Sequence, residues 1–156
     1  MQPQYTPQTR PYFTLPAPIR FWAKINRQSG RSWNGTPCWE WTGKIRPDGY
    51  ARFGISPGVT EYAHRYAYML LVGTIPPDLT LDHLCRNRCC VNPDHLEPVT
   101  RGENVLRGEG FMAQQKRQTH CKYGHLFDEA NTRIYRGQRK CRECDRLRHR
   151  AKKQAA

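Results

Sequence analysis

The spacing of apolar side chains along the chain changes period several times, and each change predicts an element. From Arg20 to Arg27, Phe21, Trp22 and Ile25 recur at roughly helical spacing until Ser29-Gly30 interrupts them, so a short helix is expected. Two alternating aromatic runs follow, Cys38 to Gly43 and Tyr50 to Ile55, on either side of Pro47-Asp48-Gly49. They predict a β-hairpin. Residues 62–72 suit a helix that stops at Gly73, with Pro76-Pro77 beyond it. Leu79 to Leu84 and His95 to Val99 then predict two strands around a cysteine-containing loop. Thr100-Arg101-Gly102-Glu103 has the form of a capping box, so a helix should begin with Thr100 as its cap and carry Asn104 in its first turns.

Composition changes this picture in two ways. Only 37% of the 156 residues are hydrophobic, so a core held by packing alone would be marginal and some other staple is expected. Trp39, Trp41, Tyr50 and Phe53 are therefore assigned to core packing before base stacking. The seven cysteines are candidates for disulfides, metal ligands or ordinary buried residues. Their company favours metal: Cys121 lies four residues before His125, Cys141 and Cys144 form a CxxC pair, and Cys85 and Cys90 precede His95. No signal-peptide pattern or membrane-length apolar run is present, which predicts a soluble, cytoplasmic protein with reduced thiols.

The net charge of +13 points to a polyanionic partner, nucleic acid first. Residues 116–153 hold 13 Lys and Arg against 4 Asp and Glu, interleaved with the second set of cysteines. The expected organisation is a flexible Pro-rich arm over 1–18, a main domain over 19–107, a linker over 108–118, a basic zinc-binding module over 119–150 and a tail over 151–156.

The segment from Leu81, LDHLCRNRCCVNPDHLEPVTRGEN, resembles the HNH endonucleases, in particular the small phage-encoded and homing-type branch. The Asp-His pair, the HLE-x-VT stretch and the final Glu-Asn carry the likeness, which extends over roughly residues 20–107. The resemblance implies an α+β fold: a ββα-metal core preceded by a short helix, a β-hairpin and a helix, with a small C-terminal zinc-ribbon-like module added. It implies His83 as general base, Asp82 and Asn104 as ligands of one catalytic divalent ion, and His95 at the central position of the motif. Eleven residues separate His83 from His95 and eight separate His95 from Asn104, as the family pattern requires. If the cell is a phage host, its cytoplasm is the expected location.

The chemistry asks for the same residue types. Phosphodiester hydrolysis needs a base that works near neutral pH, which suits imidazole. It also needs a cation on the phosphate, and a carboxylate plus an amide oxygen suits Mg²⁺ or Mn²⁺. On an ideal strand, however, Asp82 and His83 would face opposite ways, so the strand must end or twist there.

Two structural zinc ions are expected. Cys38, Cys85, Cys90 and His95 would hold the first, with Cys89 as a substitute for Cys90; similar phage proteins, with a cysteine before Asn-Pro, favour Cys90. Cys121, His125, Cys141 and Cys144 would hold the second. Between the last two ligand pairs, residues 131–140 suggest a hairpin with a basic turn, and the tail from Asp145 suggests a basic helix. Candidate contacts to double-stranded DNA are His64, Arg65, Arg86, Arg88 and Arg101 in the main domain, and Arg133, Arg136, Arg139, Lys140, Arg146 and Arg148 in the module. His64 is equally readable as a packed helix residue. The expected activity is metal-dependent DNA cleavage, nicking or site-preferring. The alternatives are a zinc-stabilised DNA-binding protein without catalysis and an RNA-binding or packaging accessory protein with phage packaging partners. Target sequence, the choice between monomer and dimer, and the choice between one-strand and two-strand cutting stay open.

Overall fold

A computed structural model describes residues 14–155, and they divide into two compact units, the boundary falling after Asn104. The part of the expected N-terminal arm over residues 1–13 lies outside the described residues. Among the described residues no helix is long and apolar enough to cross a membrane.

The first unit opens with helix α1 (Ala17–Trp22), entered from Pro16 with Pro18 in its first turn. The helix thus starts earlier than its apolar spacing suggested and takes in Ala17 and Pro18 of the expected arm. It also ends earlier, because Ile25 joins a strand instead. β1 (Ile25–Asn26) pairs antiparallel with β4 (Glu40–Trp41), while β2 (Ser32–Trp33) pairs with β3 (Thr36–Pro37) between them.

The expected hairpin is also redrawn. Pro47-Asp48-Gly49 does form a turn, but it closes only a single bridge between Ile45 and Ala51. The second aromatic run becomes β5 (Arg52–Ser56), whose partner is β6 (Val59–Tyr62), across a turn at Gly58. The first run stays with β1, and Trp41 rests on Phe21 and Phe53 with ring centroids 5.5 and 5.8 Å apart. Phe21, Trp41, Ala51, Phe53, Ala63, Ala67 and Val91 form the core, so the aromatic residues assigned to packing do line it or border it. Tyr50 is the exception described below. A Cβ on Gly43 would come within 2.6 Å of the Trp41 indole nitrogen, which leaves room there for glycine only. Arg20 is buried beneath this core and spends its guanidinium on the carbonyls of Leu15, Gly54 and Ile55.

Helix α2 (Ala63–Leu71) follows β6 directly and ends before Gly73, which takes φ +136°. Next come β7 (Leu79–His83) and β8 (Leu96–Thr100), paired antiparallel from Leu79 opposite Thr100 to His83 opposite Leu96. A 3₁₀ turn, Pro93–His95, leads into β8. Helix α3 (Arg101–Arg107) follows, with the Thr100 hydroxyl accepting from the Glu103 amide at 3.2 Å as the capping pattern predicts. Strand, loop, strand and helix thus occur in the expected order.

The second unit contains α4 (Phe111–Arg117), β9 (Thr132–Tyr135), β10 (Gln138–Cys141) and α5 (Arg142–Gln154). Residues 108–118, expected as a linker, contain helix α4, whose Ala113 is fully buried and whose Arg117 reaches back to the Gly108 carbonyl. β9 and β10 form the hairpin expected from residues 131–140, and the basic tail is helical.

Candidate active site and metal centres

The loop between β7 and β8 is built around a cluster of sulfur and nitrogen donors. Cys38 arrives from the end of β3, Cys85 and Cys90 from the loop, and His95 from the 3₁₀ turn; their ligand atoms all lie within 4.8 Å of one another. Cys38, Cys90 and His95 are at most 2% exposed. His95 Nδ1 stands 3.6 Å from Cys38 Sγ and 3.5 Å from Cys90 Sγ. Its Nε2 is 2.7 Å from the Thr36 hydroxyl, which itself donates to the Trp33 carbonyl. That hydroxyl must therefore accept from Nε2–H, leaving the Nδ1 lone pair facing the sulfurs. The donor set, with His95 oriented by the Thr36 hydroxyl, fits a tetrahedral zinc ion, which takes thiolate and imidazole ligands. Hydrogen bonding from Cys90 draws the Cys85 thiol down to about 5, while the same contact and burial push Cys90 up.

Adjacent cysteines behave differently here. Cys89 turns its sulfur to the Gly49 carbonyl, 3.4 Å away, and takes no part in the cluster.

The second cluster brings Cys121, His125, Cys141 and Cys144 together within the same 4.8 Å limit. Amide donors converge on the sulfurs, from Tyr123 to Cys121 and from Cys144 to Cys141, both at 3.4 Å. Burial works to raise the Cys141 thiol, but the Cys144 amide and the Asn131 side chain outweigh it and bring it to about 6. A zinc ion fits this set as well.

His83 ends β7 and is buried, its ring 4.7 Å from His64 and 5.8 Å from Tyr50. Its Nε2 lies 3.1 Å from the Cys90 carbonyl. A carbonyl only accepts, so Nε2 carries the proton and Nδ1 keeps its lone pair. Burial holds the ring's pKa below the ordinary histidine value, against the opposing pull of Cys85, the Cys90 carbonyl and Asp82. His64, pressed by burial and by the charges of His83 and Arg65, falls to about 3. Burial thus favours the neutral form of both rings, and His64, although buried, also lines the cleft beside them.

Beside them lies an open cleft of about 510 Å³, lined among others by Tyr50, Tyr62, His64, Arg65, Glu61 and Asn104. Asn104 donates its amide N–H to the Leu81 carbonyl at 3.4 Å, so its amide oxygen is left for other partners. Asp82, 2% exposed, accepts a hydrogen bond from Arg86 at 2.7 Å. Arg86, expected at a DNA phosphate, is thus engaged with the carboxylate expected to hold metal. Carboxylate and amide oxygens are the donor types that Mg²⁺ or Mn²⁺ takes.

The remaining basic candidates divide in the same way. Arg88 donates to the Asp48 carbonyl and lies over the Tyr50 ring, 5.4 Å from its centroid, and Arg101 is exposed at the start of α3. In the second unit Arg133 pairs with Asp145 at 2.8 Å, Arg148 with Asp145 and Arg146 with Glu143. Arg139 covers the Phe127 ring, while Arg136 and Lys140 belong to the hairpin.

Two residues near these sites were not singled out from sequence. Thr36 was unreadable because its partner lies 59 residues away. Tyr50 was assigned to the core, although it lines the cleft and touches both histidines.

Comparison with known proteins places the same stretch. A family model described as HNH endonuclease matches residues 61–106, the span from β6 through most of α3. Protein 2.8 of Escherichia phage T7 is 37% identical over 68 residues, which cover 43% of this chain and 45% of that protein. Protein 7.7 of the same phage is 34% identical over 67 residues, covering 43% and 51%. The uncharacterized gene 5.3 protein of Enterobacteria phage T3 is 30% identical over 69 residues, covering 41% and 68%. The chain therefore spans about half the length of the two phage T7 relatives. No solved structure matches it.

Proposed function

We propose that this chain, which belongs to the phage-type HNH endonuclease family, is a metal-dependent DNA endonuclease with His83 as its general base. The observation that carries the reading is the setting of His83: buried, its Nε2 held by the Cys90 carbonyl, and beside a cleft that Asn104 lines, with burial favouring its neutral form. A neutral imidazole with a free Nδ1 takes a proton from water, and its fixed ring costs little reorganisation as the charge develops. Tyr50 and His64 hold the ring from the cleft side.

Asp82 and Asn104 are the proposed holders of one Mg²⁺ or Mn²⁺, whose charge would stabilise the phosphate and the departing oxygen. Arg65 and Arg88 offer phosphate contacts on the first unit, and the basic second unit adds affinity for duplex DNA. Zinc is proposed at both Cys₃His clusters. With one catalytic site per chain, nicking is the expected product.

A second reading, a zinc-stabilised DNA-binding protein without catalysis, is favoured by one contact, the Arg86 pairing with Asp82. Supercoiled plasmid separates the two readings. Relaxation in Mg²⁺, blocked by EDTA and lost in His83→Ala, supports the enzyme. Salt-sensitive binding with no relaxation supports the second reading, and an undiminished rate in His83→Ala removes His83 from catalysis.

A further inference from the structure

The β9–β10 hairpin presents side chains that neither the metal cluster nor the cleft uses. Its register sets Tyr135 opposite Gln138 and Arg133 opposite Lys140. Directly opposed residues share a face, so these four lie together. Thr132 and Cys141 pair on the other face, where Cys141 joins the metal cluster. At the tip Arg136 and Gly137 take φ +49° and +71°, the backbone of a two-residue turn that keeps the ribbon narrow.

The free face combines charge with an exposed ring. Tyr135 is 50% exposed, and the guanidinium carbons of Arg133 and Arg136 lie 5.7 and 5.5 Å from its centroid. Like charges set directly opposite, as Arg133 and Lys140 are, destabilise a ribbon unless anions meet them. Asp145 answers Arg133, but the described residues include no carboxylate paired with Arg136 or Lys140. Lys140 instead donates to the Gln138 amide oxygen at 3.1 Å.

We propose that this face of the β9–β10 ribbon reads bases in the major groove of duplex DNA, Gln138 and Tyr135 meeting base edges and Arg136 and Lys140 the flanking phosphates. The inference rests on the reading of the chain as a DNA-acting protein and names how its second unit selects a site. Size favours the major groove. Paired strands lie about 4.8 Å apart, and with side chains such a ribbon suits a groove about 12 Å wide, not one of about 6 Å. Chemistry agrees, because a glutamine amide pairs in bidentate fashion with adenine in that groove. As Lys140 moves to a phosphate, it releases the Gln138 amide oxygen.

The test selects bound sequences from a randomised duplex pool, using the full zinc-loaded chain without Mg²⁺. The wild type should enrich a motif. Gln138→Ala should lose about tenfold discrimination at one or two positions while binding the unselected pool as before. Arg136→Ala should weaken all sequences alike and lower the slope of log affinity against log salt by about 1. Zinc content measured on each variant shows that the unit is intact. The proposal is overturned if Gln138→Ala and Tyr135→Ala recover the same motif at the same strength, if the wild type enriches none, or if a ligand filling the major groove leaves binding unchanged. Plasmid cleavage in Mg²⁺ is scored separately, so a chain that selects a motif without cutting overturns the nuclease reading and leaves this one standing.

Discussion

The two Cys₃His clusters offer the same donors to a metal, yet their surroundings are opposite. The first draws ligands from positions 38 to 95, is almost wholly buried, and adjoins an aromatic core that packs without it. The second is confined to positions 121–144, and among the described residues of its unit only Ala113 and Cys141 are buried hydrophobic ones. In the second unit metal would therefore replace a core, whereas in the first it would position a loop. That loop carries the Cys90 carbonyl against which His83 is set.

Stripping zinc is the sharpest way to break the comparison. Chelation, or Cys141→Ser, should unfold the second unit outright, because structural zinc contributes about 10 kcal/mol or more, comparable with a whole domain's stability. Collapse of amide NMR dispersion over residues 119–150, with dispersion retained around Phe21 and Phe53, is the expected outcome. Equal collapse in both units would erase the distinction.

In the first unit Cys38→Ser should leave a folded core but displace the loop. Plasmid cleavage should fall at least 100-fold, since small misplacement of a catalytic group costs about that much. Circular dichroism would change little. A milder change, Thr36→Val, removes the hydroxyl that accepts from His95 and should weaken zinc at the first cluster by about 10- to 100-fold. Competition with a chromophoric chelator should show one weakened site and one unchanged.

The most gradual effect concerns acid. His64 has an ordinary value near 6.5 when unfolded and about 3 when folded, so the unfolded chain binds its proton first. Its contribution to stability is complete above pH 6.5 and drains away as pH falls toward 3, at no more than about 1.4 kcal/mol per pH unit. At saturating zinc, the denaturation midpoint of His64→Gln should fall less steeply over this window than that of the wild type.

Much of the candidate site was legible in the sequence because it is local. The capping pattern at Thr100, the Asp82-His83 pair at the end of a strand and the intervals to His95 and Asn104 all lie within one stretch of chain. The pairing of β5 with β6 was misjudged, since two aromatic runs beside a turn describe either partner equally well. Helix α4 was missed because its burial rests on Ala113, which leaves little apolar signature. Nothing in the spacing of Arg86 reveals that it bends back to Asp82 at φ +55°.

The sequence by itself determined what is set by composition and short intervals: a basic chain, two groups of metal-type donors, a capped helix and a histidine suited to proton transfer. Only the tertiary structure decided how those donors are arranged. It brought Cys38 to a loop some fifty residues away, chose Cys90 over Cys89, and set His83 on a carbonyl that fixes its tautomer. The physical reason is that neighbouring side chains leave the backbone in different directions, so packing, and not spacing along the chain, selects the one that faces the site.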